Sequence, residues 1–100
     1  PTVAGKYYFE GQVFNQGSNN TSVRNIYVSI YKNGSQYKES RINFHGSEIN
    51  FGNIQVSAII DMNGSSDYVE LYAATDVISG SASLREGTKA NYFLGYRIGT

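Results

Sequence analysis

The chain contains no cysteine, so neither a disulfide framework nor a thiolate metal site can form, and the fold must stand on packing alone. It has a single histidine, His45, and a metal site built on it would need carboxylates converging from elsewhere in the chain. A single proline leaves glycine and asparagine to mark the chain reversals. Charge of one sign is also missing. Eight Lys and Arg balance eight Asp and Glu, with no run of either, which excludes the basic stripe that nucleic-acid binding requires. Zero net charge gives little repulsion to keep copies apart, so self-association stays open. Apolar runs such as Ala58-Ile59-Ile60 are far too short for a membrane helix or a secretion signal, and no membrane insertion is expected. Ala, Leu and Glu are too sparse to support helices.

What is present points to strands. Nine Tyr, five Phe and many Val, Ile, Ser and Thr suit a pleated, half-buried surface. The 100 residues make one domain with one modest core. Lys6 to Phe14 is apolar on both parities, at Tyr7, Phe9 and Val13 and again at Tyr8 and Phe14. Asn15 to Val23 reads as a polar loop. Ile26, Val28 and Ile30 alternate with Tyr27, Ser29 and Tyr31 and run into the hairpin signal Lys32-Asn33-Gly34-Ser35, followed by a return strand from Tyr37 to Phe44. Beyond the turn-rich stretch His45 to Asn53, residues Ile54, Val56, Ala58, Ile60 and Met62 share one face. After a turn at Asn63-Gly64-Ser65-Ser66, Val69, Leu71 and Ala73 alternate with Tyr68, Glu70 and Tyr72. Ala74 to Asn91 reads as a long connection with a short strand near Ser83 and Leu84, and Tyr92 to Ile98 is a final apolar strand. The expected fold class is all-β, an antiparallel sandwich or barrel.

Two kinds of strand are evident. Asn25 to Tyr31 and Asp67 to Ala73 alternate, as expected when one face meets a core and the other meets water. Lys6 to Phe14 and Tyr92 to Ile98 do not, and a chain with no helix has nothing of its own to cover a second face. Another subunit is the economical cover.

The segments Gly5-x-Tyr7-x-Phe9, Asp67-x-Val69-x-Leu71 and Phe93-x-Gly95-Tyr96-x-Ile98, in that order over almost the whole chain, resemble the C1q/TNF-like jelly-roll domain. Ser29-Ile30-Tyr31-Lys32-Asn33-Gly34 followed by Asp67-Tyr68-Val69-Glu70-Leu71-Tyr72 is most similar to the C1q-like domains of bacteriophage fibres and other virion appendages. The resemblance implies a homotrimer whose inner sheets face a threefold axis, with Lys6 to Phe14, Ile54 to Met62 and Tyr92 to Ile98 in the inner sheet and the two alternating strands in the outer one. Two departures stand out: Ser66 replaces the family's glycine before Asp67, and only four residues precede Gly5 where the family has several strands. Pro1 to Ala4 therefore looks like a start in mid-domain. Either the N-terminal strands were cut off or the jelly roll is a reduced one, and an uncovered outer-sheet edge is the expected consequence. The segment is expected to be the C-terminal part of a longer fibre chain.

If Tyr7, Phe9 and Val13 pack in the core with Ile54, Val56, Ile60, Leu94, Tyr96 and Ile98, then Tyr8, Glu10, Gln12, Phe14, Ser57, Ile59, Phe93 and Arg97 form the expected trimer interface. Glu10 and Arg97 could then satisfy one another across subunits. The competing assignment reverses the parity of one strand. Tyr27, Tyr31, Tyr68 and Tyr72 face outward on the alternating strands, either as ordinary cross-strand packing or as an aromatic stripe that stacks on sugars or meets a protein. Asn19, Asn20 and His45 lie in loops that a rigid scaffold presents for recognition, as do the longer stretches Asn15 to Ser22, His45 to Asn53 and Asp76 to Lys89.

Catalysis is not expected. The eight acids declare no facing pair for glycoside hydrolysis, and Ser65 and Ser66 have no neighbouring base. Asp61, Asp67 and Asp76 lack calcium-loop spacing, and no cofactor is implied. Matches to the N-glycosylation pattern at Asn19, Asn20, Asn33 and Asn63 arise freely in so Asn/Ser/Gly-rich a turn vocabulary. The leading expectation is a virion-borne trimeric domain that binds a host-surface glycan or protein and contacts other virion proteins. The alternatives are a purely structural trimerisation or decoration module, and a secreted C1q-like ligand on a collagen-like stalk, whose Gly-x-y repeats do not occur in this sequence.

Overall fold

The computed structural model describes residues 2–18, 22–84 and 90–100. They form β1 (Gly5–Gly17), β2 (Val23–Lys32), β3 (Ser35–Asn43), β4 (Phe51–Met62), β5 (Val69–Val77), β6 (Ala82–Leu84) and β7 (Tyr92–Gly99). Every strand pair is antiparallel, and the strands divide into two sheets. The first sheet runs β4-β1-β7, with β6 sharing the far edge of β1 beside Asn15, Gln16 and Gly17; the second runs β3-β2-β5. The two sheets pack face to face as an all-β sandwich. The division matches the expected one, with the strands apolar on both parities in one sheet and the two alternating strands in the other.

Local chemistry accounts for the turns. Asn33 (φ 52°) and Gly34 (φ 83°) form the two-residue connection between the paired Lys32 and Ser35, and both backbones are left-handed, as a tight hairpin that follows strand twist requires. At the β4–β5 turn, the Asn63 side-chain oxygen accepts hydrogen bonds from the amides of Ser65, Ser66 and Asp67. It thereby satisfies the donors a reversing chain leaves unpaired.

The core is the meeting of two alternating rows. Phe9 and Val13 of β1 and Ile54, Val56, Ala58, Ile60 and Met62 of β4 face Val23, Ile26, Val28 and Ile30 of β2. Ile26 and Ile30 are fully buried, each burial being worth about 1.5–3 kcal/mol. Gly11 stands in the inner row of β1 because a Cβ there would run into the Leu71 side chain descending from β5. Asn15, also fully buried, ties the sheets together by donating to Thr75 Oγ1 of β5.

The sheets are offset. β4 lies under β2 and β3, and β1 lies under β2 and β5, so β7 extends past the cover of the second sheet. Every residue of β7 from Phe93 to Ile98 is exposed, and an open hollow of about 470 Å³ lies against Tyr7, Phe9, Phe93 and Gly95. β5 and β7 end their sheets on the same side, and among the described residues neither has a second strand neighbour.

Two expectations are corrected here. β1 is longer than expected, because Asn15, Gln16 and Gly17 continue the ladder with Gly52, Phe51 and β6 in place of a loop. The parity of β7 is the reverse of the one expected. Gly95 pairs with Phe9, Phe93 with Gly11 and Arg97 with Tyr7, so the odd residues of β7 share the inner row, and Leu94 and Tyr96 turn outward beside Glu10 and Tyr8. Leu94, Tyr96 and Ile98, expected in the core, are 43%, 56% and 48% exposed. The reason is steric: the Phe9 ring lies where a Gly95 side chain would be, so only this register seats the ring.

Candidate functional site

The outer face of the β4-β1-β7 sheet is built by the residues that alternate with the core rows. From β1 it receives Tyr8, Glu10, Gln12 and Phe14, and from β4 Phe51, Gln55, Ser57 and Ile59; β7 adds Tyr92, Leu94 and Tyr96. Opposite residues in an antiparallel ladder share a face, so Tyr8 lies between Ile59 and Tyr96, and Glu10 between Ser57 and Leu94. The rings pair across strands: Tyr8 and Tyr96 have centroids 5.5 Å apart, and Phe14 and Phe51 5.3 Å. Phe51 and Ile59 are 43% and 56% exposed. β1 itself is half-buried on this face, shaded by side chains of its two neighbours, so its apolar second parity is partly explained within one chain.

A closed polar cluster sits at the centre of this face. The Tyr8 hydroxyl donates to one Glu10 carboxylate oxygen at 2.6 Å, and the Tyr92 hydroxyl donates to the other at 2.6 Å. Gln55 Nε2 donates in turn to the Tyr92 hydroxyl at 2.9 Å. The two hydroxyl donors hold the Glu10 carboxyl below its ordinary range, and the carboxylate holds the Tyr8 and Tyr92 hydroxyls above theirs. The Glu10 carboxylate, set beside Tyr8, Leu94 and Tyr92, therefore has its hydrogen bonds made internally, which lowers the cost of covering it.

Six of the residues expected at a subunit interface thus share this face: Tyr8, Glu10, Gln12, Phe14, Ser57 and Ile59. Phe93 and Arg97 do not. Phe93 packs on Phe9 with ring centroids 6.2 Å apart, and Arg97 donates from Nε to the Ala4 carbonyl at 3.0 Å. The expected pairing of Glu10 with Arg97 on one face does not arise, because the two side chains lie on opposite faces of the sheet. Leu94 and Tyr96 join the face through the competing assignment, in which the parity of one strand is reversed, and Tyr92 and Phe51 belong to it without having been expected there. The glycine opposite Phe9 is the signal that would have set the parity of β7.

The outer face of the second sheet carries the tyrosines of the alternating strands. Tyr31 and Tyr72 stack at 4.3 Å between centroids, and the Tyr27 hydroxyl donates to Asp76 at 2.7 Å while Arg41 lies over the Tyr27 ring at 4.4 Å. Asp76 pushes the Tyr27 hydroxyl above its ordinary pKa. Tyr68 stands apart, just before β5, where its backbone exchanges hydrogen bonds with Asn33. His45 lies in the exposed β3–β4 turn, its amide donating to Asn43 Oδ1. Asn19 and Asn20 lie outside the described residues. The acids are dispersed among structural partners: Asp61 pairs with Lys6 at 2.9 Å, Glu48 with Arg24 at 3.4 Å, and Asp67 accepts from Asn33 at 2.9 Å.

No protein-family model matches the chain, and no curated protein is significantly similar to it.

Proposed function

We propose that the chain is a non-enzymatic assembly and recognition domain of the C1q/TNF-like kind, three copies of which pack through the β4-β1-β7 face on a fibre of a phage or related virion. The observation that carries the assembly half is the face itself: exposed Ile59, Leu94 and Tyr96 border a carboxylate whose hydrogen bonds are already made, and exposed Phe51 packs on Phe14 further along the same face. Exposed clusters of large apolar side chains mark interaction surfaces on soluble domains. A second copy of the same face is the occupant that meets apolar with apolar and leaves Glu10 satisfied. The threefold count and the virion setting come from the resemblance carried by Gly5-x-Tyr7-x-Phe9, Asp67-x-Val69-x-Leu71 and Phe93-x-Gly95-Tyr96-x-Ile98. Recognition of a host-surface glycan or protein is the work such an assembly performs, since threefold presentation turns weak contacts into avidity.

Sedimentation equilibrium of the purified domain tests the assembly half, with a three-chain species expected and a monomer at every concentration overturning it. For the recognition half, host-cell adsorption of the assembled domain is compared with that of the complete fibre. A domain that adsorbs nothing where the fibre adsorbs would sink it.

A further inference from the structure

The structure assigns, we infer, a binding site for a single neutral sugar ring to the outer face of the β3-β2-β5 sheet, between Tyr27 and the stacked pair Tyr31 and Tyr72. This gives a location to the recognition half of the proposed function and rests on it; it uses the opposite side of the sandwich from the assembly face.

A sheet face ordinarily fills itself with cross-strand pairs. Here two successive rungs each set a tyrosine against a small residue, Tyr27 against Ala74 and Ser29 against Tyr72, so the large side chains stand diagonally and leave a gap. The gap is a depression of about 190 Å³ with Ser29 and Ala74 in its lining, Tyr27, Tyr31 and Tyr72 as walls, and Gln36 and Glu39 at the β3 side. It falls below the ~300 Å³ where drug-sized pockets begin, which suits one ring and not an oligosaccharide.

The walls are held before any ligand arrives. Tyr27 is fixed by its hydrogen bond to Asp76 and by the Arg41 guanidinium over its ring, and Tyr31 and Tyr72 hold each other by stacking. Tyr72 is nevertheless 49% exposed, so the pair still offers apolar surface to solvent. A pyranose matches this chemistry. Its axial C–H groups form a flat apolar face for an aromatic wall, and its ring of hydroxyls seeks a carboxylate and an amide of the kind Glu39 and Gln36 carry. A nucleobase also stacks, but its phosphate would meet Glu39, and Glu70 is the residue opposite Tyr31; Arg41, the cation over the Tyr27 ring, is already paired with Glu39 at 3.2 Å. The charge of the surroundings selects the neutral ligand.

The test is a saturation-transfer and chemical-shift titration of the assembled domain with the methyl glycosides of glucose, galactose, mannose and N-acetylglucosamine, with adenosine monophosphate as the anionic stacking control. At least one glycoside should shift the Tyr27, Tyr31 and Tyr72 ring signals with millimolar affinity. Tyr72→Ala and Glu39→Gln should each weaken it by about tenfold, the loss of roughly one hydrogen bond to a charged group or one stacking surface. Ala74→Leu, which fills the depression and keeps every tyrosine, should abolish it, and Tyr68→Ala should leave it unchanged. An assembled domain whose three ring signals ignore all four glycosides overturns the site, as does binding that survives both Tyr72→Ala and Ala74→Leu, or a preference for adenosine monophosphate. Sedimentation of the same sample separates the two readings: a monomer that binds a glycoside refutes the assembly and keeps the site.

Discussion

Gly95 stands directly opposite Phe9 in the β1–β7 ladder, and a Cβ built on Gly95 would lie 2.5 Å from Phe9 Cδ1. The glycine is therefore the socket for a core ring at the edge of the sandwich, and it decides which way every other residue of β7 points. A one-residue slip would put Leu94 or Tyr96 against Phe9 and turn the whole strand over.

Gly95→Val is expected to destabilise the fold by about 1–3 kcal/mol, the cost of forcing a side chain into packed space. Leu94→Thr, one residue away but outward, should cost well under that in a chain kept monomeric. The midpoint of urea unfolding measures both. Equal losses at the two positions would show that the Phe9 contact does not set the register.

Ile59→Lys and Tyr96→Lys each place a cation on the β4-β1-β7 face beside Tyr8, without touching the core rows. Either variant is expected to sediment as a monomer with an unchanged far-ultraviolet circular dichroism spectrum, whereas Glu39→Gln on the opposite face should assemble as the parent does. Persistence of the oligomer in both lysine variants would place the contact elsewhere.

Stability is expected to be flat near neutral pH and to fall on both sides. Glu10, Glu48 and Asp67 have carboxyls lowered from ordinary values of 4.5, 4.5 and 3.8, by the Tyr8 hydroxyl, by backbone amides and by the Asn33 amide respectively. Their contributions are complete above those ordinary values and vanish as the pH drops through the lowered ones. Tyr8, Tyr92 and Tyr27 are raised from 10.0, the first two chiefly by Glu10 and the third by Asp76, and Lys6 is raised from 10.5 by Asp61. Those contributions are complete below 10 and vanish as the pH rises through the raised values. Glu10→Gln should remove part of both limbs at once, since the same carboxylate shifts both tyrosines. Urea midpoints from pH 3 to pH 11 check this, and a loss confined to the acid limb would show that the hydroxyls do not depend on Glu10.

Asn33 does two things at the β2–β3 hairpin. It adopts a left-handed backbone, and its amide group accepts from the Tyr68 backbone and donates to Asp67. Asn33→Gly keeps the first and loses the second, while Asn33→Ala loses both. The alanine variant is expected to be less stable than the glycine one by about 1 kcal/mol, the usual penalty of αL for a residue with a Cβ. Thermal unfolding of the pair measures the difference, and identical midpoints would remove the backbone argument.

Much of this molecule is legible along the chain. The absence of a helical period, the clean alternation of Ile26, Val28 and Ile30 and of Ile54, Val56 and Ile60, and the Asn33-Gly34 turn determine an all-β sandwich and most of its core, because strand period and turn conformation are local properties. Alternation says only that two faces differ, not which faces inward. Where both parities are apolar, as in β7, the choice passes to a contact 86 positions away in the chain, the Phe9 ring on Gly95. The offset of the sheets that exposes β7, the closure of Tyr8 and Tyr92 on Glu10, and the meeting of Tyr31 with Tyr72 across β2 and β5 are likewise decided by tertiary structure. Each depends on the register between strands distant in sequence, and that register is settled by which side chains fit when the sheets close.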